Sequence, residues 1–186
     1  MAKEKGYRSR AAYKLLEAIK RFRFISNGDI VVDLGAAPGG WLQVARQTVG
    51  ERGRVIGIDI EPIAPLPYKN VITIRSDISN DTYAVSLLED VKGRVNTVLS
   101  DVSPNITGAW STDHARQIYL ARKSLEIAKT ILSRKGNFFV KLFHGPELKD
   151  FEKEAETSFR HVRFVKPKAS KAKSSEIYLL ATSFFG

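Results

Sequence analysis

Cysteine is absent from this sequence of 186 residues, and its absence excludes several kinds of functional site. A chain without thiols forms no disulfide framework, offers no thiolate nucleophile and holds no cysteine-ligated zinc or iron–sulfur centre. Histidine is scarce as well, and the three histidines do not have the spacing of metal ligands: they are His114, His144 and His161. We therefore expect no metal in the functional site.

Long hydrophobic runs are also missing from the sequence. No apolar segment approaches the roughly 18 residues that a membrane-spanning helix needs, and the charged N-terminus, MAKEKGYRSR, is not followed by the apolar core of a signal peptide. We expect a cytoplasmic protein that acts as a monomer and has no membrane partner. Hydrophobic residues still make up 43% of the chain, so residues 1–186 are expected to fold as a single domain.

Positive charge is concentrated at the two ends of the chain. Residues 1–23 contain eight basic and two acidic side chains, and residues 160–173 contain six basic and no acidic ones. The remaining residues, 16 basic and 18 acidic, are close to neutral. Two basic blocks around a neutral core favour a polyanionic ligand such as RNA over an ordinary solvated surface. The predicted RNA contacts are Lys3, Lys5, Arg8, Arg10, Lys168, Lys171 and Lys173.

Seven short runs rich in apolar and β-branched residues predict seven β-strands. They cover residues 30–34, 54–60, 71–77, 95–101, 137–143, 161–167 and 176–185. Stretches with helical periodicity separate most of them, and this alternation predicts an α/β fold with a parallel sheet and helices on both faces. The connection before the last strand, residues 168–175, is too short for a parallel crossover, so the last strand is expected to run antiparallel.

A helix is predicted ahead of the first strand, within the basic segment 1–23. Its apolar residues recur at helical spacing, at Ala12, Leu15, Leu16 and Ile19. Ser9 is expected to cap the N-terminus of this helix. Lys14 lies roughly 200° around the helix from Ala12. It can therefore face a cleft, although solvent is the more common position for such a lysine.

The first predicted strand ends in the motif DLGAAPGGW, residues 33–41. Glycines at a strand-to-helix turn allow a ligand to approach the backbone closely. Their spacing differs from the G-x-G-x-x-G pattern of dinucleotide-binding proteins, and Pro38 removes a backbone N–H that a pyrophosphate would use. The motif therefore indicates a nucleotide-type site and counts against an NAD-dependent dehydrogenase.

Acidic residues stand at the ends of the first three predicted strands: Asp33, Asp59 and Asp77. Asp59 is placed where an acid in such folds accepts hydrogen bonds from the ribose hydroxyls of a bound nucleoside. Any one of these acids could instead cap the following helix, and this is a serious alternative for Asp77. Carboxylates without a phosphate cradle suit a cationic ligand, and S-adenosylmethionine, which carries a sulfonium and an ammonium group, fits this description.

A second group of charged residues belongs to the later strands. Asp101 ends the fourth strand, Lys141 lies inside the apolar run FFVKLF, and Glu176 opens the last strand. A buried ammonium group is costly unless it is paired. We therefore expect an acidic partner for Lys141 rather than a lysine that reaches out to solvent.

The motifs RSRAAYKL, DLGAAPGGW, GIDI, SDVSPN, FVKLF and SSEIYLLA resemble, in order and spacing, the FtsJ/RrmJ family of ribose 2′-O-methyltransferases. The resemblance implies a Rossmann-like class I methyltransferase fold, with a seven-stranded, mostly parallel sheet whose last strand is antiparallel. It implies a catalytic tetrad at Lys14, Asp101, Lys141 and Glu176. It also implies S-adenosylmethionine contacts at Gly39, Gly40, Trp41, Asp59, Asp77 and Asp101.

The same resemblance implies that the substrate is a uridine of large-subunit ribosomal RNA within the assembled subunit. Other members act on tRNA anticodon loops or mRNA caps, and both remain alternatives. Because the chain ends soon after the last strand, we expect the catalytic domain itself to contact RNA, without an accessory domain. A non-catalytic RNA-binding protein is the alternative of a different class, but it would not explain all four tetrad residues.

Lys141 is the expected proton acceptor from the ribose hydroxyl. Burial and the neighbouring Lys14 favour the neutral amine that can accept a proton, whereas Asp101 and Glu176 favour the ammonium form.

The motif SDVSPN also counts against an adenine N-methyltransferase, because Asn105 stands where such enzymes place an aromatic residue.

Overall fold

The computed structural model describes residues 6–80, 86, 88–170 and 174–186. Its helices are α1 (Ala12–Phe22), α2 (Gly40–Val49), α3 (Trp110–Ile131) and α4 (Leu148–Glu156), with a 3₁₀ turn at Glu89–Val91. Its strands are β1 (Ile30–Leu34), β2 (Arg54–Asp59), β3 (Val71–Arg75), β4 (Val95–Ser100), β5 (Leu132–Phe143), β6 (Phe159–Val165) and β7 (Glu176–Phe184).

The seven strands form one sheet in the order β3-β2-β1-β4-β5-β7-β6. Strands β1 to β5 pair in parallel, whereas β7 is antiparallel to both of its neighbours. All seven predicted strands are present, and the predicted α/β fold with an antiparallel last strand is confirmed. The start of β5 was predicted five residues too late, because Leu132 pairs with Val95 before an irregularity shifts the register to Thr97 and Asn137.

Apolar side chains cover both faces of the sheet, as expected for parallel strands between helices. One cluster packs α3 and α4 against the sheet through residues such as Phe138, Val140 and Leu142. The other cluster packs α1 and α2 against the opposite face through Phe139, Tyr178 and Leu180. Alternation along β5 therefore directs Lys141, two residues after Phe139, toward the face that carries α1.

The N-terminal segment packs against α2, and its Ser9 does not cap α1. Helix α1 has no side-chain cap, so the predicted role of Ser9 is wrong. The Ser9 hydroxyl instead lies against Gly40, where a Cβ atom on the glycine would come within 2.2 Å of the Ser9 oxygen. The Trp41 indole N–H donates to the carbonyl of Ala11 over 2.9 Å. These contacts fix α1 beside the carboxyl edge of the sheet.

Across residues 6–80, 86, 88–170 and 174–186, we find no helix that combines the length and the apolar character needed to cross a membrane.

Candidate active site

Two cavities open where the parallel strands end, at the carboxyl edge of the sheet. The larger cavity, about 510 Å³, lies beyond β1 to β4, and the smaller one, about 480 Å³, lies between α1 and the β5–β7 pair. Ser103, in the loop after β4, lines both cavities. Ligands of open α/β folds bind at this edge. The arrangement therefore provides two adjacent sites, of which one could hold a cofactor and the other a substrate.

Three carboxylates line the larger cavity: Asp59, Asp77 and Asp101. Gly35 also lines it and has a φ angle of +76°, and a Cβ atom at this position would lie 2.8 Å from the backbone nitrogen of Val102. Only glycine adopts this backbone conformation at no steric cost. The turn after β1 can therefore pass close to the loop after β4 and leave the cavity open between them.

Backbone donors fix the orientation of two of these carboxylates. Asp59 accepts hydrogen bonds from the N–H groups of Ala37, at 2.8 Å, and Glu61, at 2.9 Å. Asp77 accepts one from the N–H of Ser79, at 2.8 Å, so it shapes the following turn as well as the cavity wall. An ionised carboxylate has about four acceptor positions, so both side chains keep acceptors for a ligand.

Asp33, at the fourth position of β1, is completely buried beneath this region. Burial raises the pKa of its carboxyl well above the ordinary value, and the nearby carboxylates of Asp101 and Asp59 raise it further. Neither of its oxygens has a hydrogen-bond partner among the described residues. A group of acids this close together disfavours additional negative charge, so the larger cavity suits a cationic ligand.

Lys141 and Asp101 form an ion pair at the larger cavity, which Asp101 lines. The Lys141 ammonium lies 3.2 Å from the Asp101 carboxylate and donates to the Asp101 carbonyl oxygen over 2.8 Å. The Tyr178 hydroxyl donates to the same carboxylate over 3.2 Å. The Lys141 side chain is only 6% exposed, so the predicted acidic partner is present and the lysine does not reach out to solvent.

Lys14 and Glu176 form a second pair on the wall of the smaller cavity. The Lys14 ammonium donates to the Glu176 carboxylate over 2.5 Å, and Ser174 donates to the same oxygen over 3.2 Å. Burial raises the pKa of Glu176, but Lys14, Lys141 and Ser174 outweigh that effect and hold its pKa below the ordinary value. Glu176 therefore stays ionised at neutral pH, and the stability it contributes is lost only as the pH falls into the acidic range.

Strand pairing explains how residues distant in the sequence form this group. Phe143 pairs with Glu176 and Lys141 pairs with Tyr178 in the antiparallel β5–β7 ladder. Glu176 and Tyr178 are two residues apart, so both point to the same face of the sheet as Lys141. Helix α1 packs on that face and brings Lys14 to the group. The four predicted tetrad residues are thus two linked ion pairs within one site.

The two basic blocks of the sequence adjoin each other in the fold. The Glu17 carboxylate, on α1, accepts hydrogen bonds from the backbone N–H groups of Lys168, at 2.9 Å, and Ala169, at 3.2 Å. Arg10 and Ala169 both line the smaller cavity. The described residues thus form a basic surface that extends from the smaller cavity along α1, and its exposed side chains are Arg10, Lys20, Arg21 and Lys168.

The predicted RNA contacts differ in their surroundings. Arg10 and Lys168 are exposed near the smaller cavity. Arg8 donates to the carbonyls of Ala64, at 2.5 Å, and Pro65, at 2.7 Å, so its guanidinium anchors the loop after β2. The other four lie outside the described residues: Lys3, Lys5, Lys171 and Lys173. The RNA contacts stay predictions.

Comparison with known proteins identifies the family. The model of the FtsJ-like methyltransferases matches residues 7–184, which is almost the whole chain. The chain belongs to the FtsJ-like methyltransferase family. Both cavities and all four tetrad residues lie within the matched range.

Several relatives of this FtsJ-like chain are named ribosomal RNA large subunit methyltransferase E. The protein from Methanocaldococcus jannaschii is 43% identical over 189 aligned positions, covering 100% of this chain and 77% of the relative. The protein from Methanosarcina acetivorans is 47% identical over 185 positions, covering 98% of this chain and 66% of the relative. These relatives are thus longer than the FtsJ-like chain described here.

A solved structure supports the Rossmann-like methyltransferase fold of the FtsJ-like chain. A Plasmodium falciparum protein named as a ribosomal RNA methyltransferase superposes with a TM-score of 0.83 at 29% identity. The superposition covers 97% of this chain and 100% of the other. The fold expected from the sequence motifs is therefore shown by both sequence and structure.

The structure places the predicted cofactor residues of the FtsJ-like chain in two groups. Asp59, Asp77 and Asp101 line the larger cavity. Gly39, Gly40 and Trp41 are not among the residues that line it; the glycines contact the N-terminal segment, and the Trp41 ring packs against Phe139 and Tyr178. The sequence pointed to Gly35 only as part of the glycine-rich turn and not as a cofactor contact, and it did not select Ser103, within SDVSPN, or Tyr178.

Proposed function

We propose that this protein transfers a methyl group from S-adenosylmethionine to a ribose 2′-hydroxyl of large-subunit ribosomal RNA. The observation that carries the proposal is that Asp101, paired with the buried Lys141, lines one cavity, and that Lys14 and Glu176 line the cavity next to it. One cavity is lined by carboxylates, and the other adjoins a basic surface. The names of the relatives support ribosomal RNA as the substrate class.

The residues of the larger cavity fit S-adenosylmethionine. Asp59 and Asp77 offer acceptors to the ribose and amino groups of such a ligand, and Asp101 stands beside the place where the reaction would occur. The acids at these strand ends favour a ligand with two positive charges, and Gly35 leaves room for it next to the backbone. When bound, the cofactor supplies a methyl group on a positively charged sulfur.

The chain must then remove a proton from the attacking hydroxyl. As the 2′-oxygen forms a bond to the methyl carbon, the carbon–sulfur bond breaks, its electron pair stays on sulfur, and the hydroxyl proton passes to the amine of Lys141, whose ammonium has first released a proton to solvent. Asp101 holds this amine through its carboxylate and its carbonyl oxygen. Such contacts keep the base within reach of the hydroxyl, and positioning supplies much of the rate in a direct displacement.

Lys14 and Glu176 are proposed to orient the acceptor nucleotide. Both line the smaller cavity, and their ion pair places an ammonium and a carboxylate next to the space for the ribose and its phosphate. Within the tetrad, Lys141 and Asp101 thus serve in proton transfer, whereas Lys14 and Glu176 bind the substrate.

Methyl transfer to defined RNA classes tests the proposed function. We expect radiolabelled S-adenosylmethionine to label large-subunit ribosomal RNA, on a uridine, when the wild-type protein acts on either the free RNA or the assembled large subunit. Transfer RNA and capped mRNA should be labelled far less. Preferential labelling of either would replace the ribosomal substrate by that alternative, and no labelling of any RNA would favour a protein that only binds RNA.

We expect RNA affinity to fall steeply with salt concentration, because the basic surface releases counterions from each phosphate it contacts. The logarithm of the binding constant should decrease by about 0.7 to 0.9 per phosphate for each unit of log salt concentration. Changing Lys168, Lys171 and Lys173 together to glutamine should reduce this slope by that amount for each phosphate that the variant no longer neutralises. Filter binding over a salt series provides the measurement.

The matched control removes three lysines from the opposite edge of the sheet. Lys69, Lys92 and Lys135 are exposed and stand near the amino ends of β3, β4 and β5. Their triple glutamine variant has the same net charge but should keep the wild-type slope. If both triple variants gave equal slopes, the loop before β7 would be an ordinary solvated segment rather than an RNA contact.

A further inference from the structure

Trp110 is an exposed aromatic residue close to the candidate active site. It opens α3, and its side chain is 58% exposed, whereas the second tryptophan of the sequence, Trp41, is 3% exposed. Exposing so large an apolar ring has no benefit for folding. Single exposed apolar residues are common on protein surfaces, and what sets Trp110 apart is the way its ring is held.

The Trp110 ring is held in a defined orientation. It stacks on the ring of His114, with 5.5 Å between the centroids and only 4° between the planes. His114 is buried, packs against Gly145 and contacts the carboxylate of Glu147. The His114 ring thus supports one face of the indole, and the exposed part of the indole offers a flat aromatic surface to a partner.

A row of side chains on α3 connects this ring to the catalytic lysine. Trp110, His114 and Gln117 follow helical spacing and share one face. The Gln117 amide donates to the backbone carbonyls of Lys141, at 2.9 Å, and Val102, at 3.1 Å. Seven residues of helix span about 10.5 Å, so Trp110 stands about that far along the axis from the residue that contacts Lys141.

The loop before Trp110 lies at the mouth of the smaller cavity. Ile106 lines this cavity and is 63% exposed. The Asp113 carboxylate accepts hydrogen bonds from the N–H of Thr107, at 2.9 Å, and of Gly108, at 3.1 Å, which ties the loop to the first turn of α3. Ile106 thus gives the cavity mouth an exposed apolar side chain, and Trp110 follows it by four residues at the start of α3.

We propose that Trp110 stacks on an unpaired base of the RNA, next to the nucleotide whose ribose enters the smaller cavity. Proteins that bind single-stranded RNA stack bases on exposed aromatic rings, and such stacking tolerates any base. The basic surface around Arg10 and Lys168 holds the backbone, and Trp110 holds a base. This inference rests on the proposed function, because it takes RNA as the substrate.

Tryptophan fluorescence provides a direct test, since Trp41 is buried and Trp110 is exposed. A short single-stranded RNA oligonucleotide should quench the emission of the wild-type protein at saturation, whereas inorganic polyphosphate should not, because it has charge but no bases. The Trp110→Phe variant should lose the quenching by RNA. Equal quenching by RNA and polyphosphate, or quenching that persists in Trp110→Phe, would overturn the proposal.

Affinity measurements give the second test. Trp110→Ala should weaken binding of the same oligonucleotide about 5- to 100-fold, and Trp110→Phe should restore most of the loss. Tyr119→Ala is the matched control, because Tyr119 lies on the same helix, is 51% exposed and points the opposite way, nine residues later. Its affinity should stay within about twofold of wild type.

Separate readouts distinguish this inference from the proposed function. Trp110→Ala should raise the KM for RNA while leaving the single-turnover rate at saturating RNA, and the affinity for S-adenosylmethionine, near wild type. Methyl transfer by a Trp110→Ala variant with wild-type RNA affinity would overturn the stacking contact and leave the function standing. Quenching at Trp110 without methyl transfer by the wild type would support the contact and overturn the function. If Trp110→Ala weakened binding of another protein but left RNA binding unchanged, the stacking contact would also be overturned.

Discussion

The Lys141→Met variant is expected to lose about 10²- to 10⁴-fold in the rate of methyl transfer while it still binds S-adenosylmethionine and RNA. Methionine keeps the length of the side chain but has no amine to accept the proton. Lys141 is buried against Asp101 and Tyr178, so its removal acts on the proton transfer rather than on an exposed RNA contact. Single-turnover transfer with both substrates saturating measures this step.

Two further variants separate the chemical role of Lys141 from its charge. Lys141→Arg should fail almost as badly as methionine, because a guanidinium does not lose its proton in proteins. Lys69→Met, which changes an exposed lysine beyond the opposite edge of the sheet, should keep the wild-type rate. Near wild-type turnover by Lys141→Met or Lys141→Arg would move the base elsewhere, with Lys14 as the next candidate.

The Asp59→Ala variant is expected to bind S-adenosylmethionine about 10- to 150-fold more weakly, which corresponds to about 1.5 to 3 kcal/mol for the missing charge-assisted hydrogen bonds. The structure adds a second reason for weaker binding. Asp59 also accepts hydrogen bonds from the N–H groups of Ala37 and Glu61 and so shapes the turn that borders the cavity. Titration calorimetry with S-adenosylmethionine measures the affinity.

Asp59→Asn and a distant acid serve as comparisons for this experiment. Asparagine keeps one oxygen acceptor without the charge, so its loss of affinity should fall between those of wild type and Asp59→Ala. Asp150→Ala, at an exposed position on α4, should bind the cofactor as wild type does. If Asp59→Ala bound S-adenosylmethionine with wild-type affinity, the role of Asp59 would be limited to shaping the backbone turn.

The strands could be predicted because their apolar runs and connection lengths are local features of the sequence. The short connection 168–175 alone indicated that β7 runs antiparallel, and the ladder of Phe143 with Glu176 confirms it. The early start of β5 could not be predicted in this way. It depends on pairing of Leu132 with Val95, and no local pattern of residues encodes such an irregularity.

The proximity of the charged residues was predictable, but their partners were not. Because Lys141 lies inside an apolar run, we expected an acidic partner for it, and both Asp101 and Glu176 were candidates. Only the strand register and the packing of α1 assign Asp101 to Lys141 and Glu176 to Lys14. The contacts of Arg8 with carbonyls of the loop after β2 were likewise not predictable from the sequence, and its RNA contact stays a prediction.

Long-range packing also decided the features that the sequence motifs did not reveal. Ser9 has the right residue type for a helix cap, but the close approach of the chain to Gly40 uses its hydroxyl elsewhere. Trp110 had no motif around it, and its proposed role depends on the buried His114 beneath it. Local propensity gave way to tertiary contacts at each of these positions.

The position of the transferred methyl group tests the central claim most directly. Free large-subunit ribosomal RNA and assembled large subunits should each be treated with the wild-type protein and S-adenosylmethionine. Their RNA is then digested to nucleosides and analysed by mass spectrometry, with Lys141→Met protein as the parallel sample. The proposed chemistry predicts a methyl group on the ribose 2′-oxygen of a uridine, formed by the wild type and nearly absent with Lys141→Met. A methyl group on a base, or equal ribose methylation by both proteins, would contradict it.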